Sequence, residues 1–134
     1  MSIEPYMCKI HGETTAYVYK IKSGPTKGLI RRTCRVCRSI EVKRLWLDLK
    51  KEVIMAYGGE CSCCGETMLE FLTIDHVNGN GNEHRQTIGR GYKLYKWLKN
   101  NNYPKKEFRL LCYNCNCARG QFGECPHKKR GGLK

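Results

Sequence analysis

Acidic residues are scarce in this chain of 134 residues: 12 Asp and Glu stand against 25 Lys and Arg, a formal net charge of +13. Solubility does not need so lopsided a balance, and a polyanionic partner does. Long hydrophobic runs are missing too. No stretch approaches the roughly 18 apolar residues of a membrane-spanning helix, which excludes the membrane as a partner. The opening MSIEPYMCKIHG contains no apolar signal-like segment, so the expected setting is a reducing cytoplasm. Residues 12–33 contain neither Asp nor His, so that stretch lacks the Asp and His of metal-assisted hydrolysis.

The chain has room for one domain or two very small ones. Modules of roughly 50–60 residues bury too little apolar surface to be comfortable, and metal staples are a common remedy. Ten cysteines answer that need. Cys34/Cys37, Cys61/Cys64 and Cys112/Cys115 are all CxxC pairs, the bite of tetrahedral zinc rather than of a disulfide framework. Cys61, Cys64, Cys112 and Cys115 make a complete four-thiolate set, which is structural because it leaves no open position. Cys8, His11, Cys34 and Cys37 make a second set of three thiolates and one imidazole. With two Zn²⁺ bound in this way the net charge falls by three, to about +10.

The zinc frame occurs twice. In the first copy a Cys8–His11 turn precedes a β-rich run over Thr15–Ile21, a Ser23-Gly24-Pro25 turn and a return over Leu29–Thr33. Cys34-x2-Cys37 then leads into a helix over about 38–57. Val42, Trp46, Leu49, Val53 and Tyr57 form its apolar stripe, with Lys43, Arg44, Lys50 and Lys51 off it and Gly58-Gly59 as its end. In the second copy Cys61-x2-Cys64-Gly65 is followed by a strand over Phe71–Val77 and an Asn/Gly loop. An insertion over about 83–107 contains one helix near Tyr92–Leu98, stopped by the Asn100–Pro104 run. A strand over Phe108–Leu111 then runs into Cys112-x2-Cys115 and a short helix. The predicted fold is therefore a small zinc-stabilised α+β chain of tandem treble-clef-like modules. Residues 1–57 form a nucleic-acid-binding finger with a basic linker helix, 58–127 a second domain with a helical insertion, and 128–134 a flexible basic tail.

Between residues 16 and 51, eleven Lys and Arg face only Glu41 and Asp48. That imbalance reads as a phosphate-binding face, with Arg31, Arg32, Lys43 and Arg44 as its candidates. His84-Arg85, closing the Asn/Gly loop, reads either as a phosphate contact or as a solvated loop pair.

Asp75-His76 adds what a structural zinc module has no use for. An Asp in so apolar a strand is costly unless it meets a cation. Neighbouring strand residues point to opposite faces, so the pair serves one site only if the strand kinks or ends there. Asn116, directly after the last CxxC, is either a helix cap or a metal ligand. Cys63, Cys117, Cys125 and His127 stay unassigned. Cys125-Pro126-His127 has the form of a ligand pair, but Cys63 belongs to a turn that already holds two ligands, so local packing of the C-terminal segment is the expectation there.

The Cys61-x2-Cys64, Asp75-His76, Cys112-x2-Cys115-Asn116 series resembles the HNH, or ββα-metal, nucleases. It is most similar to their zinc-bearing form, the phage recombination endonuclease VII group and small phage HNH endonucleases. The resemblance covers roughly residues 58–127. It implies a DNA endonuclease in which His76 is the general base and Asp75 and Asn116 hold one Mg²⁺ or Mn²⁺ at the scissile phosphate. Many HNH proteins carry a histidine three residues after the Asn; this chain has Arg119 there, which leaves two protein ligands for the ion and frees Arg119 for phosphate. The expected substrate is duplex or branched DNA, and a homodimer would be needed for a concerted double-strand break. The competing reading is a non-catalytic zinc-finger protein that only binds DNA or RNA.

Overall fold

The computed structural model describes residues 1–130, with side chains through residue 128. It is a small α+β structure in two compact units, the first covering Met1–Trp46 and the second beginning at Leu47.

In the first unit, β1 (Ser2–Cys8) and β2 (Gly12–Lys20) form an antiparallel hairpin closed at the Cys8–Gly12 pair. β3 (Ile30–Cys34) pairs antiparallel with the other side of β2, setting Cys34 opposite Ala16. The sequence pattern had not shown β1. The strand contains Pro5 and buries little besides Cys8, so no apolar alternation marks it, and proline is tolerated because β1 is an edge strand. The buried apolar residues of this unit are Ala16, Val18 and the cysteines Cys8 and Cys34. Two small aliphatic side chains cannot supply the few kcal/mol a stable module needs, so the thiol cluster must carry the fold.

Directly after Cys34, α1 (Arg35–Ala56) runs for 22 residues. Its buried residues are Leu49, Lys50, Val53 and Ile54, all in the second half, which is why the division between the units falls inside the helix. Two expectations fail here. Val42 is 48% exposed and takes no part in the stripe. Lys50, expected off the stripe, is 6% exposed, with its ammonium 5.7 Å from the Tyr113 ring centre; the long methylene stem packs inward while burial pushes its pKa down. The helix stops at Gly58 and Gly59, both with positive φ, where the Gly59 amide donates to the Ile54 carbonyl at 3.0 Å.

The second unit continues with a cysteine-bearing turn at 61–65, a 3-10 turn at Leu69–Phe71 and β4 (Leu72–His76). The insertion holds two helices, α2 (Gly81–Thr87) and α3 (Tyr92–Asn100). Only α3 was legible in advance: it buries Tyr95 and Leu98, whereas α2 buries nothing and so carries no stripe. α3 ends where Asn102 and Tyr103 turn to positive φ. β5 (Phe108–Cys112) pairs antiparallel with β4, placing Asp75 opposite Arg109 and His76 opposite Phe108. α4 (Tyr113–Phe122) follows at once. A last helix, α5 (Pro126–Arg130), takes in residues 128–130 of the expected flexible tail, and 131–134 lie outside the described residues. Phe108, Leu72, Leu98, Leu110, Ile54 and Val53 are almost wholly buried, each contributing about 2 kcal/mol of transfer free energy. No helix among the described residues is long and apolar enough to cross a membrane.

Candidate metal centres and a histidine–carboxylate site

All ten cysteines are free thiols. Cys8 ends β1, His11 sits in the hairpin turn, Cys34 ends β3 and Cys37 lies in the first turn of α1. Their four ligand atoms lie within 4.8 Å of one another. Zinc with sulfur at about 2.3 Å and nitrogen at about 2.0 Å puts tetrahedral edges near 3.8 Å between two sulfurs and near 3.5 Å between sulfur and nitrogen. Here Cys8 Sγ and Cys37 Sγ are 3.7 Å apart. His11 Nδ1 stands 3.6, 3.9 and 3.4 Å from the sulfurs of Cys8, Cys34 and Cys37. These separations match the edges that a tetrahedral metal ion would require. The backbone amides of Ile10 and His11 bring the Cys8 thiol down to about 6, and burial pushes Cys37 up to about 11.

Cys61, Cys64, Cys112 and Cys115 gather in the same way, with Cys64 Sγ and Cys112 Sγ 3.7 Å apart. Burial opposes ionisation of Cys61, yet the amides of Cys64, Cys112 and Cys63 bring its thiol down to about 7. Cys112 also caps α4, its sulfur accepting from the Cys115 amide at 3.4 Å. Both clusters can hold a metal ion such as zinc.

Cys63, Cys125 and His127, left unassigned from the sequence, come together with Cys115 in a third set. Cys117 is exposed and belongs to none. The Cys-Pro-His spacing was the one signal for this set. Convergence with Cys63 depends on how α5 folds back, which spacing does not reveal. Burial and the crowding thiols of Cys112, Cys125, Cys64 and Cys63 push the Cys115 thiol strongly up.

The end of β4 sends its two polar side chains to different partners. Asp75 Oδ2 accepts from Arg109 Nε at 2.8 Å and from Arg119 Nη1 at 2.7 Å, and Arg119 Nη2 donates to the Val77 carbonyl at 2.9 Å. Burial raises the Asp75 pKa against the pull of Arg119. Arg109 was not anticipated, because its contact follows from strand register alone. Asn116 is half-buried and lies in α4 one turn before Arg119, hence on the same side of the helix. It is not the helix cap; Cys112 is.

His76 faces the insertion. Its Nε2 lies 3.0 Å from Nδ1 of His84, and its ring packs 4.7 Å from Phe108. His84 in turn stacks edge-on against Trp97 at 4.9 Å. Gly81 lets the loop close over the ring, since a Cβ there would meet His76 Nδ1 at 3.2 Å. Burial lowers the His76 pKa, and the charges of His84 and Arg85 lower it further against Asp75. Its surroundings thus favour the neutral imidazole, with one ring nitrogen engaged. His84, read from sequence with Arg85 as either a phosphate contact or a solvated loop residue, is a partner of His76. Arg85 reaches Asn82 at 3.5 Å.

No protein-family model, no curated protein and no solved structure matches the chain.

The basic candidates of the first unit do not share one face. Arg31 and Arg32 are neighbours on β3 and point to opposite sides of the sheet. Arg31 lines an open groove with Tyr17, Tyr19, Thr33 and Arg38. Arg32 faces Glu4 at 3.8 Å, and Arg44 is bonded to Glu41 at 2.9 and 3.1 Å. Lys43 is exposed on α1.

Proposed function

We propose that this chain is a metal-dependent DNA endonuclease of the HNH type, with treble-clef-like zinc modules and His76 as its general base. The observation that carries the reading is the environment of His76: half-buried at the end of β4, lowered in pKa, and held by His84 on a β4–β5–α4 unit closed by cysteine ligands. A base must be neutral to take a proton from water, and burial favours that form.

Asp75 and Asn116 offer a carboxylate and a carboxamide oxygen, a donor set that fits a hard divalent cation such as Mg²⁺ or Mn²⁺. Bound there, the ion would lower the charge on the phosphoryl and leaving oxygens. His76 takes the proton of the attacking water on its free ring nitrogen, and His84 fixes the orientation of the ring. Arg119 supplies positive charge beside Asp75, suited to a phosphate oxygen. The strongly basic balance and the Tyr17–Tyr19–Arg31–Arg38 groove supply affinity for the nucleic acid.

The Asp75–Arg109–Arg119 triad favours a second reading, a nucleic-acid-binding zinc protein without catalysis, because a carboxylate shared by two guanidiniums is also a structural device. Plasmid nicking separates the two. Zinc-loaded wild type should nick with Mg²⁺ or Mn²⁺, and His76→Ala should lose cleavage by orders of magnitude while keeping its DNA affinity. A folded wild type that nicks with neither ion leaves the binding reading in its place.

A further inference from the structure

Cys115 belongs to two ligand sets at once. Its sulfur lies within 4.8 Å of those of Cys61, Cys64 and Cys112, and equally within 4.8 Å of the ligand atoms of Cys63, Cys125 and His127. Neither set reaches four ligands without it. His127 Nδ1 is 3.3 Å from Cys115 Sγ and 3.3 Å from Cys125 Sγ, close to the edge of about 3.5 Å between sulfur and nitrogen on one zinc.

We propose that the second unit holds a two-zinc cluster in which the Cys115 thiolate bridges the ions. One ion is completed by Cys61, Cys64 and Cys112, the other by Cys63, Cys125 and His127. The ligand count closes. Two tetrahedral centres have eight ligand positions, and seven donors with one used twice fill them all. Besides its bond to carbon, a thiolate sulfur has three lone pairs, of which two can bind one metal each. Charge closes as well: the second Zn²⁺ arrives as the Cys63 and Cys125 thiols lose their protons. The cluster therefore keeps the −2 of a single four-thiolate site.

The surroundings suit an anionic cluster. Cys63, Cys115 and Cys125 line a cavity of about 120 Å³ together with Arg109, Arg119 and Lys128. Arg109 Nη2 is buried without a hydrogen-bond partner, and a negative cluster across that cavity offsets the cost of its burial. The cluster would also tie α5 to the start of α4 and to the 61–65 turn.

Native mass spectrometry of the full chain purified with zinc, against Cys125→Ser/His127→Ala, gives the count. The double variant should carry one zinc fewer than wild type and keep its far-ultraviolet spectrum. An equal count in the two proteins overturns the proposal, because a single ion sampling both sets would be unaffected. If the variant fails to fold, ¹¹³Cd-substituted wild type decides alone. Two ¹¹³Cd resonances split by mutual coupling through the shared sulfur support the bridge. Uncoupled resonances, or a single resonance from this unit, refute it.

Discussion

Nε2 of His76 and Nδ1 of His84 stand 3.0 Å apart, so the ring that would accept a proton is fixed by a second histidine eight residues along the chain. The contact gives His84 a consequence that can be measured. Burial, to which the packed His84 ring adds, and then the electrostatic influence of His84 hold the His76 pKa below the ordinary 6.5. In wild type, cleavage should rise with pH through a midpoint below 6.5 and then level off; a divalent cation at Asp75 acts in the same direction. His84→Ala admits water around the ring and removes the electrostatic opposition of His84, both of which raise the His76 pKa. The midpoint should therefore move to higher pH, with a lower plateau from the less restrained ring. An unmoved midpoint in the pH–rate profile would show that the pair does not tune the base.

Asp75 serves stability as well as any ion it holds. Its side chain is 16% exposed and satisfies two guanidiniums, of which Arg109 already has one buried nitrogen without a partner. Asp75→Ala should lower the unfolding free energy by about 2 kcal/mol, less than for a fully buried pair because Arg119 can turn toward water. Urea unfolding of the zinc-loaded protein measures this loss. Asn116→Ala, which breaks no such contact, should unfold near wild type while losing cleavage. Equal stability of Asp75→Ala and wild type would mean that the two arginines find other partners.

Chelation should dismantle the first unit. Its buried residues besides the cysteines are Ala16 and Val18, so a metal on the Cys8–His11–Cys34–Cys37 set would supply most of the folding free energy, of the order of 10 kcal/mol for structural zinc near neutral pH. A strong chelator should abolish the β1–β2–β3 amide signals in NMR, and Zn²⁺ should restore them. Mild EDTA should stop cleavage earlier, since an ion on two oxygen ligands is held less tightly than one on three thiolates and an imidazole. Intact amide signals in metal-free protein would contradict a metal-borne core.

Arg31 and Arg32 should behave differently despite being adjacent. Arg31 opens onto the tyrosine-lined groove, whereas Arg32 faces Glu4. Arg31→Ala should lower the slope of log affinity against log salt by about one phosphate contact. Arg32→Ala and Arg44→Ala, each removing a cation already paired with an acid, should change it less. Filter binding or anisotropy across a salt series tests the order, and equal slopes for all three would place the nucleic acid elsewhere.

The sequence by itself determined the parts that depend on short spacing. A CxxC bite is a property of one turn, so the two four-ligand sets could be read before any fold was known. The burial of Leu49 and Val53 followed from helical periodicity, and the strands expected over 71–77 and 108–111, observed at 72–76 and 108–112, from apolar runs bounded by turn residues. Tertiary structure decided what depends on register and on packing between distant segments. Arg109 meets Asp75 across 34 residues because β4 and β5 pair in one register, and Arg119 meets it across 44 because α4 lies along that ribbon. His84 reaches His76 only because α2, a helix with no buried residue and hence no apolar signature, folds back over it. Cys63, Cys125 and His127 were visible as residues but not as a set, since their convergence on Cys115 is fixed by the return of α5. Spacing encodes geometry within a turn, where few torsions separate two side chains. Beyond that range, burial and strand register choose the partners.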